Sequence, residues 1–235
     1  MHPAFSVIFL TTLIGVGQGL FLALYVAEAA VLFELLPAQD GRRFFAAGSA
    51  LALGFLAAGL LASFFHLGRP ERAWRSAAKW RTSWLSREVI VLPAFMAAVF
   101  CYGAAHYFGL GGTLPLGGLA ALLCIALFIC TGMIYACLKF LQEWATPLTV
   151  VNYLLLGCAS GFTFAAAFAA AAGSALAPAL GAAALAFTLA GMCTRVASLV
   201  RNRHLRPQSS LQTAIGIKHP RIAQKAQGFM GGSFN

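Results

Sequence analysis

Apolar residues run in six long blocks along this chain, and the polar positions collect in the short links between them. The blocks cover residues 4–33, 44–65, 89–108, 119–141, 149–172 and 178–200. An α-helix needs about 20 predominantly apolar residues to cross a hydrocarbon core, so each block predicts a spanning helix. The fold expected is all-α, a polytopic membrane helix bundle of six spanning helices occupying residues 1–200. The first block is over-long, which predicts tilt or a part outside the hydrocarbon.

Two features break the apolar pattern. The first is the link FHLGRPERAWRSAAKWRTSWLSREV, residues 65–89, whose middle is expected to be a membrane-edge connector over 66–88. It holds six of the sixteen Lys and Arg, three of the four Trp and two of the six acidic residues. It is too basic for bilayer core and too aromatic for a plain solvent loop. The second is residues 201–235, a basic tail without an acid, in which Lys218, Arg221 and Lys225 rule out a seventh span.

Composition agrees with lipid as the solvent. The chain is 60% hydrophobic and 9% charged, with mean hydropathy +0.82, whereas soluble domains carry about 25% charged residues. The net charge of +10 is clustered. A basic chain can attract nucleic acid, but no polar domain is present to host it, so no nucleic-acid partner is expected. With six spans both termini share one side, together with the 66–88 connector and the 142–148 link. That side gathers nearly all the Lys and Arg, which makes it cytoplasmic by the positive-inside rule. The N-terminus and the tail are therefore expected on the cytoplasmic side. The start of the chain has no basic n-region or cleavage site of a signal peptide.

The six Cys lie in or beside apolar segments without CxxC spacing, so neither an iron–sulfur cluster nor a disulfide is expected. The five His stand mostly at helix ends or in the tail, not as facing pairs within the bilayer, so no haem is expected in this chain. Any electrons must come from, or go to, a partner.

Chemistry concentrates at the ends of the connector. His66 closes the second block, where an imidazole can exchange a proton near neutral pH or simply cap carbonyls. Glu88 opens the third block. An acid in a first helical turn is favoured by the dipole; a carboxyl entering apolar surroundings can also exchange protons with a hydrophobic redox ligand. Arg69, Arg72 and Arg75 recur at a spacing of three, suited to lipid headgroups or an acidic partner surface. Gly15 and Gly19 have GxxxG spacing, repeated by Gly157 and Gly161, which permits close helix approach or leaves a groove for a flat ligand beside Gln18. Together these residues make a quinone site, because quinone chemistry moves two protons with two electrons. His66 and Glu88 would handle the protons; Gln18, Gly19, Arg69 and Trp84 would bind the quinone. Glu28, an acid inside the first block, reads either as a buried ion or proton site or as an interfacial residue.

At these motifs the chain resembles a known family. MHPAFSVIFLTTLIGVGQGL at the start, SFFHLGRPERAW at 63–74, SWLSREV at 83–89 and QTAIGIKHPRIAQKAQGFMGGSFN in the tail are similar to the DmsC-type membrane anchors of dimethyl-sulfoxide reductase molybdoenzymes. Polysulfide-reductase anchors are more distant relatives. The resemblance implies a haem-free anchor in a bacterial inner membrane. Such an anchor holds an iron–sulfur subunit and a molybdopterin catalytic subunit and exchanges electrons with menaquinone or ubiquinone. It also implies roles in quinol handling for His66 and Glu88. Family anchors have eight spanning helices against six here, which implies a chain truncated before two further helices. The basic side carrying His66 and Glu88 favours the kind with cytoplasmic catalytic subunits, such as quinone-linked sulfite dehydrogenases. Two other classes stand beside this one: a purely structural tether, and a transporter. A transporter would call for inverted repeats and interrupted midplane helices, which the sequence lacks.

Overall fold

A computed structural model describes residues 5–37, 41–65, 67, 70–205, 216 and 219 of the chain. The described part is all-α. Among the described residues, six helices are long and apolar enough to cross a membrane: α1 Phe5–Leu32, α2 Gly41–Phe64, α3 Trp84–Phe108, α4 Thr113–Ala136, α5 Pro147–Ala171 and α6 Ala177–Arg203. A 3₁₀ segment, Pro70–Lys79, crosses the connector. Since short links join successive spans, the helices alternate in direction. One end of the bundle, the basic end, holds the start of α1, the 3₁₀ segment, the start of α3, the α4–α5 link and the end of α6.

α1 is the central helix, packed against α2, α5 and α4; α3 bridges α2 and α4, and α6 leans on α5. The contact of α1 with α5 depends on glycine. Gly19 lies against the backbone of Gly157 and Cys158, and Gly161 against that of Gly19 and Leu20; a methyl group at Gly19 or Gly161 would strike the facing helix. The two GxxxG pairs therefore meet each other, because helices in lipid gain most from close van der Waals approach. Beyond this contact, Phe21 stacks edge-on against Phe95 and Tyr102, joining α1 to α3.

The helix ends differ from the sequence expectation in two informative places. α3 begins at Trp84, not at 89. Ser83 caps it by accepting from the backbone N–H of Ser86 at 3.4 Å, a cap that outweighs the polar look of residues 83–88. Glu88 thus stands in the second turn, beyond the part of the helix where a dipole account applies. α4 begins at Thr113, not at 119. Gly117 and Gly118 belong to the helix; the Tyr25 and Tyr102 rings leave no room for a side chain at Gly117, and the Tyr25 hydroxyl lies close to Gly118. Packing there overrides the low helix propensity of glycine. The turn ahead of α4 is made by Gly109 and Gly112, both at positive φ (67° and 81°).

The 3₁₀ segment aligns residues three apart, so Arg72 and Arg75 share an edge. Both are exposed, as are Trp74 and Trp80. Arg75 lies over the Trp74 ring at 5.4 Å and Arg81 over the Trp80 ring at 5.3 Å. The expected tail begins inside α6, whose last residues are Arg201–Arg203; apart from residues 204, 205, 216 and 219, the rest of it lies outside the described residues.

Candidate functional site

A cleft of about 1110 Å³ opens at the basic end, walled by α1, α4, α5 and α6 with Glu88 of α3. Its walls are mostly apolar, with Ile14, Phe128 and Leu156 among them, and a few polar groups converge on it. Sites for flat organic ligands have this character.

Glu88 is half-buried. Its Oε1 accepts a 2.6 Å hydrogen bond from the Thr131 hydroxyl of α4. Arg87, its neighbour in sequence, does not pair with it. That side chain turns back to the connector, donating from Nε to the Trp80 carbonyl at 2.9 Å and from Nη2 to the Arg81 carbonyl at 2.8 Å. Its guanidinium also covers the Trp84 ring at 4.2 Å. The helical register explains this: neighbours in sequence point away from each other on a helix. The basic connector therefore begins one residue from Glu88 without pairing with it.

Other polar groups frame the cleft. Gln18 is buried at 2% exposure; its Nε2 donates to the Cys124 carbonyl at 3.1 Å, and the Cys124 thiol lies 3.5 Å from the Gln18 carbonyl. Tyr135 and Tyr153 stack with centroids 5.6 Å apart and planes at 13°, and Trp144 meets Tyr135 edge-on. On the far wall Asn152 joins α5 to α6, donating to Ser198 Oγ at 2.8 Å and accepting from Thr194 Oγ1 at 2.8 Å. Arg201 closes the end of α6 onto the α4–α5 link through the Gln142 carbonyl at 3.0 Å.

Of the residues singled out from sequence, Glu88 and Gln18 line the cleft together. Gly19 does not; it is used up in the contact with α5, while Gly15 one turn earlier borders the cleft. Trp84 opens α3 as the partner of Arg87 and is not in the cleft wall. His66 and Arg69 lie outside the described residues. Thr131, Tyr135 and Tyr153 are cleft residues that sequence reasoning misses. Thr131 and Tyr135 are four apart and so share one face of α4, a polar pair in an apolar helix that the sequence does display.

Glu28 belongs to the opposite end. Its Oε2 accepts from the Tyr102 hydroxyl at 2.6 Å and its Oε1 from the Thr113 hydroxyl at 2.5 Å. His106 Nε2 stands 3.2 Å from Oε1, an electrostatic approach off the hydrogen-bond direction. Tyr102 and His106 are four apart on α3, and Phe45 of α2 covers the imidazole at 5.0 Å. His106, in the last turn of α3, is buried at 8% exposure. A small cavity of about 290 Å³ adjoins this cluster, with Arg42 on its rim. Among the described residues, no three His, Cys, Asp or Glu side chains come together to hold a metal ion.

The comparisons with known proteins agree with one another. The family model described as DMSO reductase anchor subunit (DmsC) matches residues 1–218. The chain is also similar to a sulfite dehydrogenase subunit from Allochromatium vinosum, 56% identical over 248 residues, an alignment taking in all of this chain and 76% of that protein. No solved structure matches the chain.

Proposed function

The chain belongs to the DmsC family of membrane anchor subunits, and on that premise we propose that it passes electrons and protons between a bound quinone and a partner iron–sulfur subunit. Family membership makes it a multi-pass inner-membrane subunit that anchors a molybdopterin oxidoreductase. The sulfite dehydrogenase kind is favoured, because the similar Allochromatium protein carries that name.

The observation that carries the reading is the cleft beside Glu88. A quinone has a flat ring, two carbonyl oxygens and an isoprenoid tail. The apolar walls suit the ring and the start of the tail. The Tyr135–Tyr153 stack offers an aromatic face to a ring. Reducing the quinone to the quinol takes two electrons, supplied through the iron–sulfur partner, and two protons. Glu88 is the group suited to give a proton to one carbonyl oxygen and to be reprotonated from the basic end. With Arg87 turned away, its carboxyl can change charge without breaking an ion pair to that neighbour. His66, which the sequence puts at the far end of the connector, is proposed for the second proton, with Arg69 beside it. Gln18, held by one N–H on the Cys124 carbonyl, is a fixed polar group in the cleft wall. The basic end is proposed to face the cytoplasm, with the N-terminus, the tail and the partner subunits on that side.

Photolabelling of the assembled complex with an azido-quinone tests the site. Label on this chain in α1, α4 or α5, displaced by excess decylubiquinone or menadione, supports it. Label confined to the partner proteins leaves this chain a structural tether. Accessibility of an introduced cysteine in the 3₁₀ segment to a membrane-impermeant thiol reagent, compared in intact cells and inverted vesicles, tests the orientation; labelling in intact cells would reverse it.

A further inference from the structure

Thr131, like Thr113 and Thr194, sends its hydroxyl to a side chain on another helix, and its target is the carboxylate that borders the cleft. Threonines inside spanning helices commonly satisfy their hydroxyl on their own backbone. Thr11, Thr163 and Thr188 do so, each donating to a carbonyl four residues earlier, at 3.0, 2.7 and 2.7 Å. Thr131, buried at 7% exposure in the last turns of α4, instead reaches across to α3 and donates to Glu88 Oε1 at 2.6 Å. It is the hydrogen-bond partner found for that carboxylate, since Arg87 is committed to the carbonyls of Trp80 and Arg81.

We infer that Thr131 is a positioning residue for Glu88: it holds Oε1, and so leaves Oε2 as the oxygen that exchanges the proton with the ligand in the cleft. A carboxylate on a flexible side chain has two equivalent oxygens and several rotamers. One strong donor on one oxygen breaks that equivalence and fixes the carboxyl plane. The hydroxyl can keep donating to Oε1 whether Oε2 is charged or protonated, so the geometry survives both halves of a proton transfer. Charge-assisted hydrogen bonds of this length are the stronger kind. Both residues border the cleft, so the fixed plane bears directly on ligand geometry. This inference rests on the reading of Glu88 as the proton-exchanging group.

The experiment uses the complete membrane-bound complex, reduced with dithionite and reoxidised by decylubiquinone or menadione, followed at the iron–sulfur absorbance of the partner. Four forms are compared with the wild type: Thr131→Val, Thr131→Ser, Glu88→Gln and the Thr131→Val/Glu88→Gln double variant. Thr131→Val should lower the maximal reoxidation rate about tenfold, the loss typical of a hydrogen bond to a charged group, while the half-saturating quinone concentration stays within about twofold. Thr131→Ser keeps the hydroxyl and should recover most of the rate. The double variant should be no slower than Glu88→Gln alone, because a residue acting through another adds nothing once that other is gone. If Thr131→Ser is as slow as Thr131→Val, or the two losses add in full, Thr131 acts by shape or independently and the inference is wrong. Unchanged Thr131→Val with a slow Glu88→Gln also overturns it, leaving the role of Glu88 intact. Wild-type rates in Glu88→Gln overturn the reading of Glu88 and this inference with it.

Discussion

Glu28 and Glu88 are the same residue type, each carried on a spanning helix with no Lys or Arg ion partner among the described residues, yet they sit in opposite kinds of surroundings. Glu28 is gripped by Tyr102, Thr113 and His106, which tie α1 to α3 and to the start of α4. Among the described residues, Glu88 has one hydroxyl on one oxygen, and a cleft of about 1110 Å³ lies beside it. The difference teaches that an intramembrane acid is not assigned a role by its charge alone. Partners on both carboxylate oxygens, from two other helices, make it a cross-link even though a small cavity adjoins it. A single partner and open space on the other side make it available for exchange.

The contrast is sharpest when each carboxylate is removed. Glu28→Ala leaves two hydroxyl donors and an imidazole facing each other without their acceptor. Leaving buried donors unsatisfied costs about 1–3 kcal/mol each, on the order of 3 kcal/mol for the cluster. The solubilised complex should therefore lose roughly 6–12 °C in its thermal midpoint, measured by scanning fluorimetry, and reach the membrane in lower amounts. A midpoint within about 2 °C of wild type would remove the cross-link role.

A smaller effect is expected when the ring stack in the cleft is broken. Tyr135→Leu removes the aromatic face shared with Tyr153 and Trp144, which is worth about 1 kcal/mol beyond its area. The half-saturating quinone concentration should rise about fivefold in the reoxidation assay while the maximal rate changes little. A lower maximal rate at unchanged half-saturation would assign Tyr135 to proton handling and not to ring binding. Smallest of all, Tyr102→Phe takes one donor from the three groups around Glu28. Hydrogen bonds between membrane helices average about 0.6 kcal/mol, so the midpoint should fall by roughly 1–3 °C, with quinone kinetics unaltered. Altered kinetics would mean that the two ends of the bundle communicate.

How much of this is legible in sequence follows from which interactions are local. The six spans are readable because apolar blocks of bilayer-crossing length alternate with links that are charged or rich in Gly, Ser and Pro. Their exact ends are harder: the Ser83 cap is a local signal hidden among the polar residues 83–88, and the burial of Gly117 under Tyr25 depends on packing. Glu88 stands out as a charge at the edge of an apolar block, and Gln18 as a lone amide within one. Thr131 does not, since its partner is 43 positions away and a threonine in an apolar helix has a local use for its hydroxyl. Glu28 stands out as an acid inside the first block, but its role as a cross-link does not, because its partners are 74 and 85 positions distant and only the Tyr102–His106 spacing hints at a polar face there. Gly19 reads from sequence as either packing or groove, and it packs; the groove residue is Gly15.

The reading of this chain as a quinone-reactive anchor stands most directly on Glu88→Gln, a substitution that keeps the size of the side chain and the acceptor for Thr131 but cannot exchange the proton. In the assembled complex, reoxidation of the reduced iron–sulfur partner by decylubiquinone or menadione should slow about 100-fold, within the range for losing a general acid–base group, with the thermal midpoint within about 3 °C of wild type. Reoxidation at the wild-type rate, in a complex assembled to the wild-type level, would contradict it.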